Sequence, residues 1–481
     1  MEIDNSANTY TEISQDLETE IENADNGDEV LIDPETYQIH NIKLTKNITI
    51  QGKGDPRDVI IDGEEKSSIF LIRSPDVYVT FKNITFINGL TDDFGGAISI
   101  ETGHVTVDNC IFINNTALKN TNAGGISNYG TKDNRGYLLL TNSLFINNHA
   151  DHDGGAVTTC YADSYISNCV FINNSARRDG GAIRVSLYGY GLVEDCIFMF
   201  NHADEWGGAY YSWSGESDIR RCIFLNNTGG TNGGAVMVSG NINIQESIIA
   251  NNTGEETGGS FYIQQPMYNK KTVINIHDNL ITDNNSPLGK EVYISWKDTE
   301  NLYTQFDNND WGNEDPNDSS VNDPDNVTPR IKVSKTTKTN LFEKLNVDLL
   351  DKYSDLVKDY FPDDSLENLK SQFTKPKKDN QQENSNNNIL DDSRNSKDNE
   401  IKSNNVTSTS NVNSKLNPLS NFQIPIGNST SHGEDKKAYE INKTNNSIAK
   451  QANVDIKYIV GAMIIAFILL LIGYKRNLKE E

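Results

Sequence analysis

Basic side chains are scarce in this sequence. Its 42 lysines and arginines face 68 aspartates and glutamates, and the net charge of −26 excludes the basic stripe that nucleic-acid binding requires. Cysteine is also scarce. Five in 481 residues do not make the disulfide framework of a small secreted domain, and there is no Cys-x-x-Cys or histidine cluster to hold a structural metal. Between about residues 30 and 315 there is no helical periodicity, which excludes leucine-rich and ankyrin arrays. Uncharged runs long enough to cross a bilayer are missing everywhere but near the C-terminus.

What the sequence does have is a phrase that returns. Glycine pairs begin at Gly95, Gly124, Gly154, Gly180, Gly207, Gly233 and Gly258, so successive copies start 29, 30, 26, 27, 26 and 25 residues apart. Each is followed by an alternating apolar run such as Ile183-x-Val185 or Val236-x-Val238, the period-two mark of a strand with one buried face. A second run then leads to Cys-x-Phe and paired asparagines, whose side chains suit sharp Asx turns. A helix-free unit of this length, unable to bury its apolar face alone, predicts one coil of a right-handed parallel β-helix. Cys110, Cys169, Cys196 and Cys222 share one position with Ile84, Ser143, Ser247 and Leu280, an inward packing site where cysteine acts as a small hydrophobe. Cys160 stands outside that column and is expected to be partly exposed.

Gly-Gly-Ala-Ile/Val together with Phe-Ile-Asn-Asn resembles the repeat of polymorphic outer-membrane proteins, and equally that of adhesin-like β-helix proteins of methanogenic archaea. Phe86, Phe112, Phe145, Phe171, Phe198 and Phe224 occupy the Phe position, with Ile249 and then Thr282 in the last copies. The stretch Lys46–Gly52 before Ile60-Ile61-Asp62-Gly63 resembles the start of pectate-lyase-like β-helices, and Asp307–Gly312 resembles the closing motif of the archaeal proteins. An Arg-Ile-Lys triplet at Arg330–Lys332 matches one from polygalacturonases, but it lies past the last coil and that family's other motifs are absent. The resemblance spans about residues 30–315 and implies a surface-displayed, non-enzymatic β-helix.

In chain order, residues 1–29 hold an amphipathic capping helix (Tyr10, Ile13, Leu17, Ile21 and Ala24) that plugs the first coil of a β-helix over 30–315. Loops are expected at Gly130–Gly136 and Gln265–Lys271, in the two longer copies. Residues 316–374 connect onward, with leucines at 341, 345, 349 and 356 suggesting short exposed helices or a stalk. Residues 375–456 are too rich in Asn, Ser, Lys and Asp to bury a core, and read as a disordered spacer reaching on the order of 50 Å. Residues 457–475 contain seventeen uncharged residues from Tyr458 to Tyr474, read as one transmembrane helix. Lys475, Arg476 and Lys479 put the tail, 476–481, in the cytoplasm and the β-helix outside the cell. Met1-Glu2-Ile3-Asp4 does not open a signal peptide, so either the true start lies upstream or the protein is tail-anchored towards the cytosol. The Asn-x-Ser/Thr sequons, Asn114, Asn173, Asn226 and Asn251 among them, point outward.

Two groups of residues could carry chemistry. Acids precede the glycine pairs: Asp92 and Asp93, Asp151 and Asp153, Asp179, then Asp204 and Glu205. On coils about 4.8 Å apart, Asp153, Asp179 and Asp204 could approach glycosidase separations or share Ca²⁺; the plainer reading is a solvated acidic turn. The second group is an outward column on the first strand. Arg184, Tyr211, Trp213 and Tyr262 could stack on sugar rings or anchor a protein, against the plainer reading of ladder packing. The reading favoured here is an adhesin-like protein, without catalysis or cofactor, that binds glycans or proteins of another cell or of its own envelope. The alternatives are a membrane-tethered polysaccharide lyase or hydrolase and a cytosolic scaffold.

Overall fold

The computed structural model describes residues 17–265, 272–295, 302–312, 321–322, 332–333, 341 and 344–357. It is an all-β parallel solenoid of the right-handed type, with strands stacked into sheets of 21, 10 and 7. In the cleanest copy, Ile183–Ser186 and Tyr190–Glu194 lie in the broad sheet, Ile197–Met199 in the ten-stranded sheet and His202–Ala203 in the seven-stranded one. Alternation sends Ile183 and Val185 into the interior, as period two requires.

Two interior columns hold the coils in register. The phenylalanines at 86, 112, 145, 171, 198 and 224 form one continuous stack with centroids 4.5 to 5.0 Å apart. All six are fully buried, and truncating one to alanine should cost about 3–5 kcal/mol. The second asparagine of each pair forms the other column: Asn115, Asn148, Asn174, Asn201, Asn227, Asn252 and Asn284 are all completely buried. Asn201 shows the pattern. Its Nδ2 donates to the Phe171 carbonyl at 3.0 Å and to Asn227 Oδ1 at 2.9 Å, while its Oδ1 accepts from the amide and side chain of Asn174. These asparagines are therefore core residues and not only turn formers. The first asparagine of each pair does turn the chain: Asn114 and Asn173 sit at φ of 56° and 53°, a left-handed conformation that asparagine tolerates.

The last coils shift by one residue from the expected alignment. Ile281, not Thr282, pairs with Ile249 in the phenylalanine position. Asn279, not Leu280, fills the cysteine position; its Oδ1 accepts from Ser247 N, and Asn309 Oδ1 accepts from Asn279 N. Swapping a thiol for an amide there gives the closing coils a second asparagine column, and Trp311, 2% exposed, joins the core at their end. Cys160 is 4% exposed, not open to solvent, because the chain bends directly after it at Tyr161 (φ 49°) and folds over the strand end.

The capping helix is present over residues 17–23, with Leu17, Ile21 and Ala24 in the main core; Tyr10 and Ile13 lie outside the described residues. Lys46 Nζ donates to the carbonyls of Glu22 and Ala24 at 2.7 and 2.6 Å, closing the helix C-terminus. Residues 131–134 form the first expected loop, fully exposed; the second, at 266–271, lies outside the described residues, as do the spacer at 375–456 and the apolar run at 458–474.

The segment expected as exposed helices is buried. Two one-turn helices, Leu349–Lys352 and Ser354–Val357, lie on the outside of the ten-stranded sheet. Leu341, Leu345, Leu349, Leu350, Tyr353 and Val357 pack against outward Ile111, Leu144, Val170, Ile197, Ile223 and Ile248. The cause is in the strands: a triplet such as Ile197-Phe198-Met199 is apolar on both faces, so its outer face needs a cover.

Candidate functional site

The residues singled out by sequence converge at one corner, where the chain turns into the glycine pair. Asp153 precedes Gly154 and Asp179 precedes Gly180; Gly154 N donates to the Asp179 carbonyl at 2.8 Å, so the two acids stand on adjacent coils. The next coil offers Trp206 in their place, bridged in parallel to Asp179, followed by Asn232 and Thr257. Asp204 and Glu205 precede that position, so the acids do not form one ladder. Asp204 is exposed and pairs with His202 at 3.1 Å; Asp92 pairs with Lys119, Asp93 with Arg73 and Asp151 with His149.

In every pair but Gly124–Gly125, where Ala123 takes the left-handed position at φ 66°, the first glycine has a positive φ, and at Gly154 and Gly180 it holds the turn close over the outward column. Gly154 has φ +66°, and a Cβ on it would meet Arg184 Cβ at 3.2 Å; Gly180, at φ +67°, would meet Tyr211 Cβ at 3.0 Å. This roof corrects the expectation of an open aromatic face. Arg184, Tyr211 and Tyr262 are 7%, 3% and 9% exposed, and the tyrosines pack with Met237 in a small cluster of their own. Trp213 alone of the four is half-exposed, with the Arg184 guanidinium 5.9 Å from its ring centre.

Under the roof lies a dense charged cluster. Arg184 Nε is 3.1 Å from Asp153 Oδ2, and His152 Nδ1 stands 3.0 Å from the same oxygen and 2.9 Å from Asn122 Oδ1. Arg178 Nη1 donates to His152 Nε2, which seats the imidazole with Nδ1–H as donor. Asn122 Oδ1 also accepts from the Asp153 amide at 3.0 Å. Asp153 is 1% exposed; burial pushes its carboxyl up, yet the Arg184 guanidinium and the His152 hydrogen bond outweigh this and hold it below the ordinary aspartate value. Asp179 is its opposite. It is fully buried, neither oxygen has a hydrogen-bond partner, and Arg178 Nη2 stays 3.6 Å away. Burial, aided by the negative charge of Asp153, pushes Asp179 up to about 8, so at neutral pH it is chiefly a neutral acid.

One aspartate held ionised beside one held protonated is the arrangement general acid–base chemistry uses, but both are sealed from solvent. Among the described residues no group of three or more His, Cys, Asp or Glu is placed to hold a metal ion. Arg184 already meets the one negative charge of the corner, on Asp153.

Sequence reasoning did not anticipate the row of aromatic residues on the second strand of the coils. Tyr78, His104, Tyr137, Tyr165 and Tyr190 follow one another with centroids 4.4, 5.9, 5.4 and 5.9 Å apart. Tyr78 is 55% exposed and the others are half-exposed; Tyr78 and His104 stack face to face, whereas Tyr165 and Tyr190 meet edge-on and the Tyr190 hydroxyl donates to Asp218 at 3.0 Å. The signal was available: Tyr78, His104 and Tyr137 fall at one strand position in successive coils.

Residues 168–186, which run from the cysteine column through Asp179 to Arg184, match the Chlamydia polymorphic membrane protein repeat. Among solved structures the chain is similar to an alginate lyase of polysaccharide lyase family 6 in complex with a trisaccharide. That likeness is 13% identical, covers 67% of this chain and 86% of the other, and has a TM-score of 0.32. A mannuronic acid specific family 6 lyase from human gut microbiota is 10% identical over 75% of this chain and 92% of its own, with a TM-score of 0.34. At that distance the likeness bears on neither substrate nor activity. The chain is a parallel β-solenoid that carries a repeat like those of the polymorphic membrane proteins.

Proposed function

We propose that this protein is an adhesin-like surface protein of the archaeal type, displaying its β-helix to bind a glycan or protein partner without catalysis. The observation that carries this reading is the burial of the acid corner. Asp153 and Asp179, 1% and 0% exposed, are the pair whose environments suit acid–base work, and no glycosidic bond reaches them through the glycine roof. Arg184 neutralises Asp153, the neutral His152 ring donates to it, and Asp179 keeps its proton, which makes the pair a structural unit that pins the turn. The polymorphic membrane protein repeat over 168–186 supports display at a surface, and the apolar run at 458–474 supplies an anchor in this reading. Half-exposed Trp213 and the Tyr78–Tyr190 row are among the outward aromatic groups open to a partner.

The test incubates the full chain with a panel of cell-wall and plant polysaccharides and scores retention and released oligosaccharide together. Retention without release, weakened by Trp213→Ala or Tyr137→Ala, is expected. Released product that disappears in Asp179→Asn or Asp204→Asn chains would overturn the reading in favour of a tethered polysaccharide lyase or hydrolase.

A further inference from the structure

The segment 344–357 does more than cover an apolar face: it runs back along the stack. Lys344 pairs with Glu246, Asn346 Nδ2 donates to Asn168 Oδ1 at 3.2 Å, and Lys352 Nζ donates to the Asn142 carbonyl at 2.9 Å. Tyr353 also donates to that carbonyl, and Asp355 stands 3.5 Å from Arg57. In the ten-stranded sheet, the strands beside Glu246 and Arg57 are seven steps apart, Ile248–Ala250 and Ile60–Asp62, or about 34 Å along the axis. The chain thus finishes its solenoid at one end and doubles back, so that Asp355 lies beside the early coils at Arg57.

Coils of a solenoid touch only their neighbours, so a pull on the last coil would unravel it first, then the next. Here the last coils, to Val333, are not where a pull from the C-terminal side arrives. It meets Val357, Tyr353, Leu349 and Leu345, whose contacts are spread over the coils of Ile111 to Ile248. Each helix is a single turn, too short to be stable alone, so the strap holds only by this packing.

We infer that residues 344–357, with Leu341, are a tension clamp. They pass force arriving from the C-terminal side into the early and middle coils and leave the closing coils unloaded, and the strap must release before those coils can unravel. That such force acts in the cell rests on the tethered-display reading; the clamp itself does not.

The test holds the full chain by its two termini in optical tweezers. The wild type should show a separate first step of at most about 90 Å, the reach of residues 334–357, before any coil unravels. In a chain carrying Asn168→Cys and Asn346→Cys, bridged by a short reducible dithiol reagent, that step should shrink to at most about 40 Å, the reach of residues 347–357, and return to full length on reduction; the five native cysteines are buried and do not compete. Leu345→Asp with Leu349→Asp should remove the step permanently. If closing coils unravel first in the wild type, or if bridged and reduced chains give the same trace, the clamp is overturned. No ligand is read in these traces, so failure of the clamp and failure of the adhesin reading remain distinguishable.

Discussion

At one corner of the stack seven asparagines lie buried on top of one another; at another, two aspartates do the same. The asparagine corner closes on itself because an amide carries both donor and acceptor. Each Nδ2 from Asn115 to Asn252 reaches a carbonyl of the preceding coil and the next Oδ1, so the pattern repeats by itself until Asn284, whose Nδ2 donates instead to Glu291 Oε2 at 2.6 Å. A carboxylate only accepts. Two of them stacked have nothing to give each other, so Asp153 takes Arg184 and His152, and Asp179 keeps its proton. The difference also sets length: the amide column runs through coil after coil, whereas the acid column ends after two and gives way to Trp206. A repeated buried polar group is stable in a solenoid only if it can satisfy its own copy.

The largest break of this contrast is to install the wrong group in the long column. Asn201→Asp should cost about 3–5 kcal/mol at pH 7, because a carboxylate would face the Phe171 carbonyl and Asn227 Oδ1 with no proton to offer. Chemical unfolding should show a smaller loss at pH 4, where the acid is neutral and donates once.

Next comes removal of the cation from the acid corner. Arg184→Met leaves Asp153 buried with His152 as its remaining close partner and should cost about 3 kcal/mol. Adding Asp153→Asn to that chain should recover much of the loss, read as the coupling in a double-mutant cycle.

Asp179→Asn has the opposite sign. The folded-state value near 8 lies above the ordinary 3.8, so the native acid contributes fully below about pH 4, and that contribution is lost as pH rises through 8. The Asp179→Asn chain should therefore show a melting temperature that gains on wild type between pH 5 and pH 8, with no gain near pH 4. A flat difference would mean Asp179 is ionised, and the contrast between the corners would collapse.

The smallest effect is expected outside both corners. Lys344→Ala removes an exposed pair with Glu246 and should shift thermal unfolding by less than about 1 kcal/mol, since the strap is held by its leucines.

Much of this was legible beforehand. The glycine pairs, the alternation and the Cys-x-Phe spacing gave the solenoid, its coil boundaries and the capping helix, because a period of two and a fixed repeat are local signals. The interior asparagines were misread as turns alone, since only stacking reveals that the second of each pair meets its own copy. The acid residues were found, but their grouping was not: Asp204 and Glu205 look equivalent to Asp179 until the register sets Trp206 beside it. Arg184, Tyr211 and Tyr262 were rightly placed on the outer face, and wrongly left open, because the roof over them comes from a glycine turn on the neighbouring coil.

By itself the sequence determined that this chain coils, how long each coil is, and which residues face inward, because those properties repeat with the strand and with the copy. The tertiary structure alone decided which outward residues are covered. Leu345 and Leu349 carry only a weak helical spacing; what buries them is an apolar stripe on strands about one hundred or more residues away. Likewise the two aspartates are identical in sequence and similar in context. Their opposite charge states follow from one contact, Arg184 against Asp153, that exists only when successive coils are stacked.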